Sequence, residues 1–131
     1  MQTLTAPPKL DPVTVAEVRQ ALADSQRLIA SRQLQAAAVL LWSAFEAAVR
    51  ISLTDLGQRT DDPIGISDSP YGLCAQAVAY GVIDPEDRAV LLRFLPARDA
   101  AAHGDAETID AGLLQEVSRF TERTLGELEQ Q

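Results

Sequence analysis

Between Leu34 and Leu56, apolar residues recur at 34, 38, 41, 45, 48/49, 52/53 and 56. This is a helical period held for about six turns, and it constrains the fold more than any other feature. Alanines at 36, 37, 38, 44, 47 and 48 would let neighbouring helices approach closely. Gly57 follows as the expected terminator of this helix.

The rest of the chain carries helix signals of the same kind. "TVAE" (14–17) fits a capping box, so a first helix is expected over about 14–31, with Val15, Val18, Leu22 and Ile29 on its apolar face. "QRTDDPIGISD" (58–68) reads as the longest loop. Ser69-Pro70 supplies an N-cap and a proline at the first helical position, and Gly81 closes that short helix after Tyr80. Asp84-Pro85-Glu86-Asp87 repeats the device, with acids near the positive end of the helix dipole. The fourth helix carries Val90, Leu91, Leu92, Phe94 and Leu95. Pro96 then removes the bond to the Leu92 carbonyl, so a kink or a restart is expected there. A fifth helix, from about 108 to 129, would bury Ile109, Leu113, Leu114, Val117, Phe120, Leu125 and Leu128. No stretch shows sustained strand alternation. The expected fold is an all-α bundle of four to five helices.

At 131 residues the chain has the size of one domain, expected over 14–131. Residues 1–13 hold Pro7, Pro8 and Pro12 and read as an irregular lead-in or a linker. The lone Cys74 has no internal disulfide partner, so a reducing compartment, the cytoplasm, is the simplest reading. The first residues lack the basic and apolar regions of a secretory signal. The longest unbroken apolar run, "AAAVLLW" (36–42), falls short of the ~20 residues that cross a bilayer, so no membrane partner is expected. A net charge of −8, from 19 acidic and 11 basic residues, argues against coating a nucleic-acid backbone, although a local basic patch stays compatible with it.

Most chemical templates fail. One histidine and one cysteine, far apart, cannot build a zinc site of the usual ligands, and no Gly-rich loop precedes a Lys-Ser/Thr pair; neither metal nor cofactor is expected. "DDPIGISD" (61–68) lacks the ligand order of an EF-hand. Cys74 lies in an Ala-rich stretch that suits a buried packing thiol better than a nucleophile.

What remains is "ARDAAAHG" (97–104). Asp99 and His103, four residues apart, share a helix face, so Asp99 can accept from one imidazole nitrogen and leave the other to exchange protons. Arg98 projects about 140° from His103 on a straight helix. The two converge more readily if a second copy packs antiparallel across Ala100, Ala101 and Ala102 and a twofold axis gathers two arginines and two histidines. An arginine on a phosphate and a histidine moving protons is what RNA cleavage through its own 2′-hydroxyl needs. The alternative is plain: a histidine at the negative end of a helix dipole, an arginine paired with a surface carboxylate, and no chemistry.

The R-(N/D)-x-x-x-H pattern near the end of a bundle helix, followed by Gly104, resembles the signature of the HEPN superfamily. "LLWSAFEAAVRISL" (40–53) and "LCAQAVAYGVIDPEDRAVLLRFLPARDAAAHG" (73–104) resemble its helices, and the resemblance covers roughly 14–128. It implies an all-helical domain, commonly a homodimer, acting as a metal-independent endoribonuclease in toxin–antitoxin systems or phage defence. Carried onto this chain, Arg98 would bind the scissile phosphate, His103 would act as general acid and base, and Asp99 would orient the site. Glu46 falls where related domains often place a polar residue, although a Glu46–Arg50 pair explains it about as well. RNA is the implied substrate, and an antitoxin the implied protein partner. Asp105 stands where some of these toxins carry a tyrosine that is modified by a nucleotide, which argues against that mode of neutralisation. HEPN-like domains also serve as non-catalytic dimerisation or interaction modules.

Overall fold

A computed structural model describes residues 13–104 and 109–130. Five helices account for the fold: α1 Val15–Ala30, α2 Leu34–Thr60, α3 Pro70–Ala79, α4 Pro85–Ala102 and α5 Ala111–Glu129, with no strand among the described residues. The lead-in, apart from Val13, lies outside the described residues, as does Asp105.

Local chemistry starts each helix where expected. Thr14 Oγ1 accepts from the Glu17 amide at 3.2 Å, and the Glu17 carboxylate accepts from the Thr14 amide at 3.3 Å, closing the capping box of α1. Ser69 caps α3 ahead of Pro70, accepting from the Gly72 amide at 3.3 Å. At the start of α4 the Asp87 carboxylate accepts from the Asp84 amide at 3.1 Å. Asp110 caps α5 by accepting from the Gly112 amide at 2.9 Å, so this helix begins three residues later than its apolar pattern suggests.

Helix α2 is the axis of the bundle and touches each of the other four. By length and composition it is apolar enough to cross a membrane, more so than its longest unbroken apolar run implies. Its apolar side chains go instead into the core: Leu41, Phe45, Val49 and Leu53 are fully buried, as are Ala37, Ala38 and Ala48. Those alanines let the neighbouring helices pack close, and each burial removes apolar surface at about 25 cal/mol per Å². From the other side α1 contributes Val18, Leu22 and Ile29, α3 Leu73 and Cys74, α4 Leu91 and Phe94, and α5 Leu114, Val117 and Leu125.

Two expectations need correction. Gly57 does not end α2: the helix continues to Thr60 and is closed by Asp61 in the left-handed conformation, φ 54°. Gly57 is buried there because the returning chain crosses it. A Cβ at this position would lie 3.3 Å from the Ile64 nitrogen and 3.4 Å from the Asp62 oxygen. Nor does α4 restart at Pro96; it runs as one helical segment to Ala102. Pro96 is exposed, and the carbonyl it releases belongs to Leu92, itself 43% exposed, so water can satisfy it.

Ion pairs fasten the outside. Arg19 of α1 reaches Glu122 at 2.7 Å and Glu129 at 2.6 Å on α5. These two carboxylates, Glu129 first, raise the guanidinium further above its ordinary value. Arg123 of α5 similarly bonds Asp87 at the start of α4.

Candidate functional site

The "RDAAAH" segment forms the last turns of α4 and its cap. Leu91, Phe94 and Leu95 define the buried face of this helix. Arg98 follows Phe94 by four positions and Leu95 by three, so it emerges on that same face at the edge of the core. There its guanidinium carbon lies 5.7 Å from the centre of the Trp42 ring, a cation–π geometry. Trp42, 2% exposed, packs against Phe45 at 5.7 Å between centroids, and Phe45 meets Phe120 edge-on at 5.6 Å. The arginine therefore rests on a ladder of aromatic rings that reaches α5.

Arg98 Nη1 donates to Asp99 Oδ1 at 2.9 Å. Its Nε is buried and has no hydrogen-bond partner. Leaving such a donor unmet costs about 1–3 kcal/mol. The side chain as a whole is 27% exposed.

His103 caps α4 and is exposed. Its Nδ1 lies 2.7 Å from the backbone oxygen of Asp99. A carbonyl oxygen only accepts, so Nδ1 carries the proton and Nε2 presents a lone pair in the neutral ring. Gly104 completes the turn at φ 76°, a conformation that favours glycine, and its amide bonds the Ala101 carbonyl at 3.1 Å.

The link expected between the Asp99 carboxylate and the imidazole is replaced by two others. His103 sits where the chain leaves the helix, so its ring folds back onto the Asp99 carbonyl, which also accepts the His103 amide at 3.2 Å. The Asp99 carboxylate turns to the adjacent guanidinium, its nearest cation. Asp99 thus connects both residues, through its side chain to Arg98 and through its backbone to His103.

Glu46 is not part of this group. Its carboxylate lies 3.9 Å from Arg50, four residues on, and it lines a separate groove of about 550 Å³ with Val13, Ser43, Ala47, Arg50 and Ile51. Arg50 is drawn further away by the Ser67 carbonyl, at 3.3 Å. Trp42, by contrast, is the residue that reading the motif alone overlooks. The available signal was its standing as the one tryptophan of the chain, one helical turn ahead of Glu46 on α2.

Among the described residues, no group of three or more His, Cys, Asp or Glu side chains gathers to hold a metal ion. The Cys74 thiol is fully buried, and burial pushes its pKa up to about 11 against a smaller opposing pull from Arg88. A thiol held protonated in this way is a packing group rather than a nucleophile.

No family model matches the chain, and no curated protein or solved structure matches it significantly.

Proposed function

We propose that this chain is a metal-independent endoribonuclease of HEPN type, working as a homodimer in the cytoplasm in a toxin–antitoxin or phage-defence role. The observation that carries the reading is the end of α4, where an unoccupied imidazole Nε2 and a guanidinium with an unmet donor lie within six residues of one another. Two copies meeting at this end supply the groups that cleavage needs. His103 Nε2 of one copy takes the proton of the 2′-hydroxyl. The 2′-oxygen forms its bond to phosphorus while Arg98 neutralises the non-bridging oxygens. The bond to the 5′-oxygen breaks, and the protonated His103 of the second copy returns a proton to that oxygen. The products are a 2′,3′-cyclic phosphate and a 5′-hydroxyl, with no net gain or loss of protons.

A second reading, a non-catalytic HEPN-like module for dimerisation or interaction, rests on the setting of Arg98. Paired with Asp99 and stacked on Trp42, it has the surroundings of a structural arginine. The two readings separate in one experiment. Wild-type protein in EDTA is incubated with a mixed RNA pool, and the new ends are mapped beside Arg98→Ala and His103→Ala. Cyclic phosphate ends from wild type alone support the ribonuclease. Intact RNA, or equal cutting by His103→Ala, sinks it and leaves the interaction module.

A further inference from the structure

A cavity of about 510 Å³ opens between the end of α1 and the start of α5, with none of Arg98, Asp99 or His103 in its lining. That volume is in the range that takes a small ligand. Its apolar floor is Ile29, Ala30 and Ala111; its polar wall includes Arg32, Ser118 and Arg119.

Seven of the ten arginines pair with a carboxylate: Arg19, Arg27, Arg50, Arg59, Arg93, Arg98 and Arg123. The three that make no ion pair among the described residues are Arg32, Arg88 and Arg119, and two of these line this cavity. The carboxylate in the same wall, Glu122, is bound to Arg19 at 2.7 Å.

Ser118 supplies an independent sign. It is 6% exposed, and its hydroxyl has no hydrogen-bond partner. The other buried hydroxyls bond back to their own helix: Ser25 to Leu22 at 2.7 Å, Thr121 to Val117 at 2.7 Å, and Thr124 to Phe120 at 3.0 Å. Ser118, alone of these four, borders the cavity and keeps its donor unused.

Arg32 occupies an unusual place. It is the left-handed residue that closes α1, φ 63°, with its amide on the Ile29 carbonyl at 3.0 Å and the Gln33 amide on Leu28 at 2.9 Å. Glycine is the favoured residue in such a turn. An arginine there carries a backbone cost and brings a guanidinium to the cavity mouth.

We propose that this cavity binds a small organic anion, its carboxylate or phosphoryl oxygens held by Arg32 and Arg119 and bonded by Ser118, its short apolar body lying on Ile29, Ala30 and Ala111. The test is a titration of the ¹⁵N-labelled protein with hexanoate, hexyl phosphate and hexanol, followed by amide shifts at Ala111, Ser118 and Arg119. Saturable shifts with either anion are expected, the tighter of the two naming the head group. Arg32→Gly suits the turn, so the fold is kept while affinity falls at least about tenfold, as loss of a charged hydrogen bond predicts. Arg119→Gln, an exposed residue with no ion pair to lose, weakens binding similarly. The proposal is overturned if neither anion saturates, if hexanol shifts the same amides as tightly, or if Arg32→Gly binds like wild type.

Discussion

The guanidinium of Arg98 lies over the ring of Trp42 at 5.7 Å, joining the end of α4 to the middle of α2. The contact gives the arginine a fixed platform, because Trp42 is itself locked against Phe45. A free surface arginine would have to give up side-chain entropy on meeting a phosphate; this one has already lost part of it.

The stacking has a measurable energy. A double-mutant cycle with Arg98→Gln and Trp42→Phe, read by urea unfolding, is expected to show a coupling of about 0.5–2 kcal/mol. Additive losses would mean that ring and cation merely sit near each other.

The ring of His103 should be the Nδ1-protonated tautomer in its neutral form. Its ¹⁵N shifts in the neutral ring report this directly, and Asp99→Asn should leave them unchanged because the acceptor is the backbone oxygen. An Nε2-protonated ring, or a switch of tautomer in Asp99→Asn, would contradict the geometry.

How much of this was legible in the sequence depends on how local the cause is. The capping box at Thr14 and the cap-proline pairs at Ser69 and Asp84 act within four residues, and each helix begins beside its signal. Gly57 and Pro96 mislead for the opposite reason. Gly57 is needed by a chain segment that returns over it, and Pro96 is tolerated because its face meets water. The Asp99 carboxylate was expected to serve the imidazole; it pairs instead with Arg98, whose guanidinium lies over the Trp42 ring of a different helix. The presence or absence of tertiary neighbours, which no spacing rule contains, decides all three.

Gly57 and Gly126 form a matched pair. Both lie inside helices, where alanine is worth roughly 1 kcal/mol more than glycine. A Cβ on Gly126 meets open space, so Gly126→Ala should raise stability by about 0.5–1 kcal/mol. At Gly57 the nearest atoms are backbone at 3.3 and 3.4 Å, and Gly57→Ala should destabilise by about 1 kcal/mol in thermal or urea unfolding. Equal signs for the two variants would show that the crossing at residues 62–64 yields easily.

Cys74 should make stability fall in alkali. Its thiol keeps its proton to about pH 11 in the folded protein, whereas an unfolded thiol releases it near pH 8.5. The stabilisation is fully present below the unfolded value and is lost as pH rises through the folded one; its ceiling is roughly 3 kcal/mol. Urea midpoints measured from about pH 8 to 10.5 should therefore drop more steeply for wild type than for Cys74→Ala. Parallel slopes would show that the thiol ionises freely in the folded state.

The bridge from Arg19 to Glu129 brings the beginning of the first helix beside the end of the last. A short peptide tether across that gap can close the bundle into a ring, and new termini can then be cut in the exposed stretch around Asp62, far along the chain from the histidine.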